Sequence, residues 1–128
     1  MTHEDRERLL KDLGGRLPYG VKILDIPTNV VGKLFLISTT DTVQYETADD
    51  TGIQTLYNIK PYLFPLSSMT EEEQRTLDSM CNGVEMVSRL SGLKMFDKAF
   101  NWLNENHFDY RGLIEDGLAI DATGLNIY

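Results

Sequence analysis

The sequence predicts an α+β fold: an N-terminal helix, a four-stranded antiparallel meander or small SH3-like barrel, and C-terminal helices. Three observations carry that reading. Thr2 stands three residues before Asp5, ahead of an apolar edge of Leu9, Leu10 and Leu13, which is how a capped amphipathic helix begins. From Val21 to Tyr57 apolar and polar residues alternate with short breaks, the period of half-buried strands. Phe96, Ala99, Phe100 and Leu103 then recur at i, i+3, i+4 and i+7, one face of a helix.

Taken in order, the first helix is expected to end at Gly14-Gly15, and Arg16-Leu-Pro-Tyr-Gly20 to turn the chain, because Pro fixes φ and Gly permits unusual angles. Four strands follow at hairpin spacing: Val21 to Ile26, Val30 to Ser38 with Gly32 as a bend point, Val43 to Tyr45, and Ile53 to Tyr57 after the turn Asp49-Asp-Thr-Gly52. Their connections are too short for parallel crossovers. Ile59 to Ser68 holds Pro61 and Pro65 and reads as an irregular or 3₁₀ connector laid over the core. Thr70-Glu-Glu-Glu73 is a capping box with an acidic first turn, and opens a helix through Leu77, Met80 and Cys81 to Gly83. Val84 to Met95 settles no period and reads as a short strand or loop. The last helix is capped by Asp97 and extends its stripe to His107, after which Asp109 caps a half-helix that Gly117 stops.

The 128 residues suit a single domain, 1–128, able to bury a core of its own. A net charge of −8 with only 12 basic residues opposes capture of nucleic acid, which needs clustered Lys and Arg. One cysteine, Cys81, excludes an internal disulfide and suits a reducing compartment. No apolar run approaches the roughly 20 residues of a membrane helix, and the charged start MTHEDRERLL is unlike a signal peptide. The expected location is therefore cytoplasmic, with no membrane association. Acids gather at Glu46 to Asp50, Glu71 to Glu73 and Glu115 to Asp121, as solvated faces or as a mimic of DNA.

Three blocks, Arg16-Leu-Pro-Tyr-Gly-Val-Lys22, Lys60-Pro-Tyr-Leu-Phe-Pro-Leu-Ser-Ser-Met-Thr-Glu-Glu-Glu73 and Trp102-Leu-Asn-Glu-Asn-His-Phe-Asp-Tyr-Arg-Gly-Leu-Ile114 with Gly117-Leu-Ala119, resemble a family of short proteins of gut anaerobes and their phages or other mobile elements. The blocks cover about a third of the chain, in the same order. The resemblance implies a setting and brings no activity with it. Phe64 stands where that family usually has a basic residue, so a contact made through that residue does not carry over.

No motif names a reaction. His107, Asp109, Tyr110 and Arg111 gather an imidazole, a carboxylate, a phenol and a guanidinium. They suit recognition of a carboxylate or phosphate, or a structural corner in which Asp109 caps, Arg111 pins an acidic neighbour and His107 belongs to the core. Tyr57, Tyr62, Phe64 and Trp102 are either core or an aromatic anchor beside rigid prolines. Cys81 sits next to Met80 as an inert hydrophobe rather than a nucleophile for His107. Two histidines and one cysteine at no ligand spacing make no metal cage, the glycines match no phosphate cradle, and no cofactor is implied.

The function expected is a non-enzymatic accessory module that binds a protein through Tyr62, Phe64 and the corner His107, Asp109, Tyr110, Arg111. One alternative is a small hydrolase using His107, Asp109 and Arg111. The other is an acidic nucleic-acid mimic or regulator. Direct nucleic-acid binding is not expected, and the oligomeric state is open.

Overall fold

Thr2 caps helix α1 (His3–Arg16) as a full capping box: its hydroxyl accepts from the Asp5 N–H and the Asp5 carboxylate accepts from the Thr2 N–H. The computed structural model describes residues 1–82 and 89–128. In it α1 runs through Gly14 and Gly15 to Arg16 instead of stopping at them. Two contacts hold the last turn helical. Asp12 and Arg16 form a buried i, i+4 ion pair, and a Cβ on Gly15 would come within 3.1 Å of the Asn104 side chain, so that glycine admits a neighbouring helix.

After a 3₁₀ turn, Leu17–Tyr19, come β1 (Lys22–Asp25), β2 (Val30–Ile37), β3 (Thr42–Glu46) and β4 (Thr51–Thr55), consecutive and antiparallel. The sheet does not stop there. The expected proline connector is itself a strand, β5 (Ile59–Pro65), antiparallel to β1 and followed by a 3₁₀ turn at Leu66–Ser68. Two short strands, β6 (Phe108–Asp109) and β7 (Ile120–Asp121), run parallel to β5. The result is a mixed seven-stranded sheet in the order β4-β3-β2-β1-β5-β6, with β7 on β5. Neither a four-stranded meander nor a closed SH3-like barrel describes it, since β4 and β6, at the ends of the path, do not pair with each other among the described residues.

Pro61 survives in β5 for a geometric reason. Ile26 N–H donates to Asn58 C=O at 2.9 Å, so alternate residues of β5 turn their peptide groups to β1 and Pro61, opposite Ile23, turns away. No ladder bond to β1 is lost.

Helices α2 (Glu71–Asn82) and α3 (Arg89–Glu105) complete the order. The Thr70/Glu73 capping box opens α2 reciprocally, while Cys81 is exposed rather than buried. Gly83, expected to end that helix, lies outside the described residues, as do 84–88 of the segment read as strand or loop; residues 89–95 are helix. Asp97 is consequently internal to α3 and accepts from Asn101 instead of capping.

One core joins Leu9 and Leu13 of α1 to Val21, Ile23, Leu34, Val43, Ile59 and Leu63 of the sheet region and to Leu113 and Leu118. Gly32 is a place for a ring rather than a barrel bend: a Cβ there, or on Gly52 opposite Tyr45, would strike the Tyr45 ring. That ring delivers its hydroxyl to buried Asp25 at 2.6 Å. Burial raises the Asp25 carboxyl, and hydrogen bonds from Tyr45, Gln54 and Thr28 outweigh it, leaving it below the usual range. At the sheet's open edge, Asp50 and Gln54 side chains occupy the Thr51 and Thr55 N–H groups of β4, which blunts the edge against pairing with another chain.

Gly52→Ala is expected to cost about 1–3 kcal/mol, the usual penalty for forcing a group into a filled site. Tyr45→Phe is expected to cost about 1–3 kcal/mol at pH 7 by leaving a buried carboxylate short of a donor. Because Asp25 is held below its unfolded pKa, its stabilisation is complete above that value and fades as pH falls below it. Urea titrations should show the Tyr45→Phe deficit shrinking below about pH 4, and a deficit independent of pH would contradict this account.

Candidate functional site

The chain leaves α3 through His107, whose φ of +61° ends the helix in the left-handed region. Its ring lies flat on Tyr128, centroids 3.8 Å apart and 12° from parallel. Only 8% of His107 is exposed and Nδ1 has no partner within the described chain. Burial, with the nearby charges of Arg16 and Lys22, lowers its pKa to about 4, so it is a neutral imidazole at physiological pH.

Asp109 is buried and wholly engaged by backbone: its carboxylate accepts from the N–H groups of Arg111, Leu113 and Ile114 at 3.2, 3.1 and 2.9 Å. It caps a single turn, in place of the expected half-helix. Gly117 ends that turn with φ +74°, its N–H reaching Ile114 C=O while Leu118 N–H reaches Leu113 C=O, a Schellman closure. Tyr110 donates to Asn104 Oδ1 at 2.9 Å and leans on Phe100, centroids 5.2 Å apart. Arg16 and Arg111 both approach the Tyr110 ring, at 5.4 and 5.1 Å.

The anchor of this corner lies one layer below. Asp12 and Arg16, both with no exposed side-chain surface, meet at 2.8 Å. Arg16 Nη2 also donates to Phe108 C=O at 2.6 Å, and Arg111 Nε stands 3.5 Å from Asp12. Burial pushes the Asp12 carboxyl up and the two guanidiniums pull it back only in part. Arg111 therefore pins an acidic neighbour, and Arg8 secures the same loop through Arg111 C=O and Asp116. The set His107, Asp109, Arg111 does not form an acid-base constellation: its carboxylate is filled with backbone donors, its guanidinium faces Asp12, and its imidazole is buried against Tyr128.

Of the two aromatics expected with the corner, Tyr62 is buried in β5 opposite Ile120, with its hydroxyl pKa raised by burial. Phe64 is half-buried and meets Phe108 and Tyr128 at 6.2 and 5.9 Å. Together Phe64, His107, Phe108 and Tyr128 line a concavity of about 400 Å³, with Glu73 and Glu105 also on its wall. Tyr128 was not legible as a wall. Its hydroxyl accepts from Lys22 N–H at 2.9 Å and donates to Tyr62 C=O at 2.8 Å, bridging β1 and β5 one step beyond their last pair. Burial raises its pKa well above the ordinary phenol range.

A second surface departs further from expectation. Ala99 and Leu103 of the helical stripe are buried, but Phe96 and Phe100 are exposed and continue a line with Leu90 and Leu93, all 44–66% exposed. Below Phe100 this line opens into a depression of about 500 Å³ shared with Gly15, Asn104, Tyr110 and Arg111. The acids disperse into local partnerships: Glu46 with Lys33, Glu71 with Arg75, Asp116 with Arg8, and Asp50 and Asp121 with backbone N–H groups. Among the described residues no group of three or more His, Cys, Asp or Glu is placed to hold a metal ion, and no helix is long and apolar enough to cross a membrane. Compared with known protein families, curated proteins and solved structures, the chain matches none.

Asp12→Asn should cost about 3–5 kcal/mol by leaving Arg16 buried without its counter-charge, whereas Asp12→Leu with Arg16→Met should recover part of that loss; a double variant worse than the single one would refute the pairing. His107 takes up its proton later in the folded chain than in the unfolded one, so stability is full above about pH 6.5 and declines toward pH 4 by up to about 3 kcal/mol. His107→Asn, compatible with a left-handed backbone, should lose that part of the slope in urea titrations between pH 7 and 4. A slope unchanged by the substitution would assign it to other groups.

Proposed function

We propose that this chain is a non-enzymatic protein-binding module, carried by a mobile element or its host, which docks an amphipathic helix of another protein along α3. The observation that carries the reading is the row Leu90, Leu93, Phe96 and Phe100 on one helix face. At their exposures these side chains present roughly 400 Å² of apolar surface, a size at which patches on single chains are often functional. A standard stable interface buries about 800 Å² per partner. A second copy would have to find the other half elsewhere while two charges of −8 repel. One helix with apolar residues at i, i+3 and i+7 fits the row in length and width.

Charge narrows the occupant. Arg89 begins α3 and Arg111 lines the depression at the row's other end, so carboxylates at both ends of the docked helix suit it. The corner takes part through Tyr110 and Arg111, while Tyr62, His107 and Asp109 serve the scaffold. The mobile-element setting rests on the three resembling sequence blocks, and a reducing cytoplasm suits the unpaired Cys81.

The test is a photo-crosslinking residue at Phe96, with the same residue at exposed Ile53 of β4 as control, in the native host. Crosslinks from position 96 to an amphipathic segment of another protein, abolished by Leu93→Asp and absent from position 53, are expected. Leu93→Asp should leave the urea stability within about 0.5 kcal/mol, as exposed substitutions do. Crosslinks to a second copy, equal labelling from both positions, or none at all would each overturn the reading.

A further inference from the structure

We infer that the concavity between β5, β6 and residues 123–128 is a binding site for a small aromatic amine, ring inward and ammonium at the carboxylates. Its walls are three aromatic side chains, Phe64, Phe108 and Tyr128, and its only charged lining groups among the described residues are Glu73 and Glu105. Aromatic faces and carboxylates both attract a cation, and the rings shelter its apolar body. A volume of about 400 Å³ falls in the range of small-molecule pockets.

His107 adds the second observation. It lines the same concavity, more than nine-tenths buried, and its Nδ1 finds no partner in the described chain. A buried polar atom left unmet is uncommon in native structures, and here it belongs to a residue that lines a space large enough for a ligand. The nearby cations are not among the lining groups: Arg16 is paired with Asp12, and the Lys22 ammonium, 5.9 Å from the Tyr128 ring centroid, donates to Ile127 C=O at 2.7 Å. The wall is also stiff, because Tyr128 is held by both strands it bridges. This site stands apart from the helix-docking face, and either can fail without the other.

The single tryptophan reports on it, since Trp102 stacks on Phe108 with centroids 5.7 Å apart and 23° between planes. Titration of the full chain with benzylamine should change Trp102 emission saturably, with a dissociation constant on the order of 1 mM for so small a ligand. Benzyl alcohol and benzoate should bind at least tenfold more weakly. Glu105→Gln and Phe64→Ala should each weaken benzylamine threefold or more while the urea midpoint of Glu105→Gln stays unchanged. A lysine side chain of a partner shares the ammonium chemistry, so Nα-acetyl-lysinamide is the second arm and should bind more weakly than benzylamine. No saturable response, equal binding of benzyl alcohol, indifference to Glu105→Gln, or tighter binding of the lysinamide would overturn the assignment.

Discussion

The buried pair of Asp12 and Arg16 is the constraint on which the C-terminal half depends. Two charges without exposed side-chain surface carry a desolvation penalty that a lone pair barely offsets. This pair has further partners: Arg16 holds Phe108 C=O, Arg111 approaches Asp12 from the other side, and the Tyr110 ring lies near both guanidiniums. The last turn of α1 thus fixes where the chain emerges from α3. From that position Phe64 N–H reaches His107 C=O at 2.8 Å and β6 runs beside β5.

Along β5 the partners follow one another. Asn58 C=O takes Ile26 N–H, Tyr62 C=O takes the Tyr128 hydroxyl, and Phe64 N–H gives to His107 C=O. A phenol therefore occupies the step where β1 has ended and the β6 segment has not begun. Both peptide groups that would otherwise stand open are satisfied. The same residue stacks on His107, so the geometry that completes the sheet also places the wall of the cavity and keeps the imidazole neutral.

What was legible in the sequence was local. Thr2 with Asp5, Thr70 with Glu73, and Asp109 with Gly117 show their function within nine or fewer residues, and the first four strands are spaced as hairpins. What was not legible depends on contacts distant in sequence. Gly14-Gly15 reads as a stop because the buried ion pair and Asn104 across from Gly15 cannot be seen. Pro61 and Pro65 read as a connector because the direction of a peptide group is known only once its neighbouring strands, β1 for Pro61 and β6 for Pro65, are beside it. Of the candidate site, His107 and Phe64 were named but their shared wall, Tyr128, lies 21 and 64 residues away along the chain.

The stripe on α3 failed for a different reason, and that reason bears on function. The rule that apolar residues at i, i+3, i+4 and i+7 face a core assumes one apolar face per helix. Here α3 has two, adjacent to one another: Ala99 and Leu103 turn to the body, Leu93, Phe96 and Phe100 to the outside. Packing among the described residues explains the first face only. The helix also carries Asn104 to the Tyr110 hydroxyl and Trp102 to the wall ring Phe108, so one rigid element lies between the exposed apolar face and the cavity. A shift of α3 would displace the packing on its inner face, because close-packed side chains have little room to absorb it.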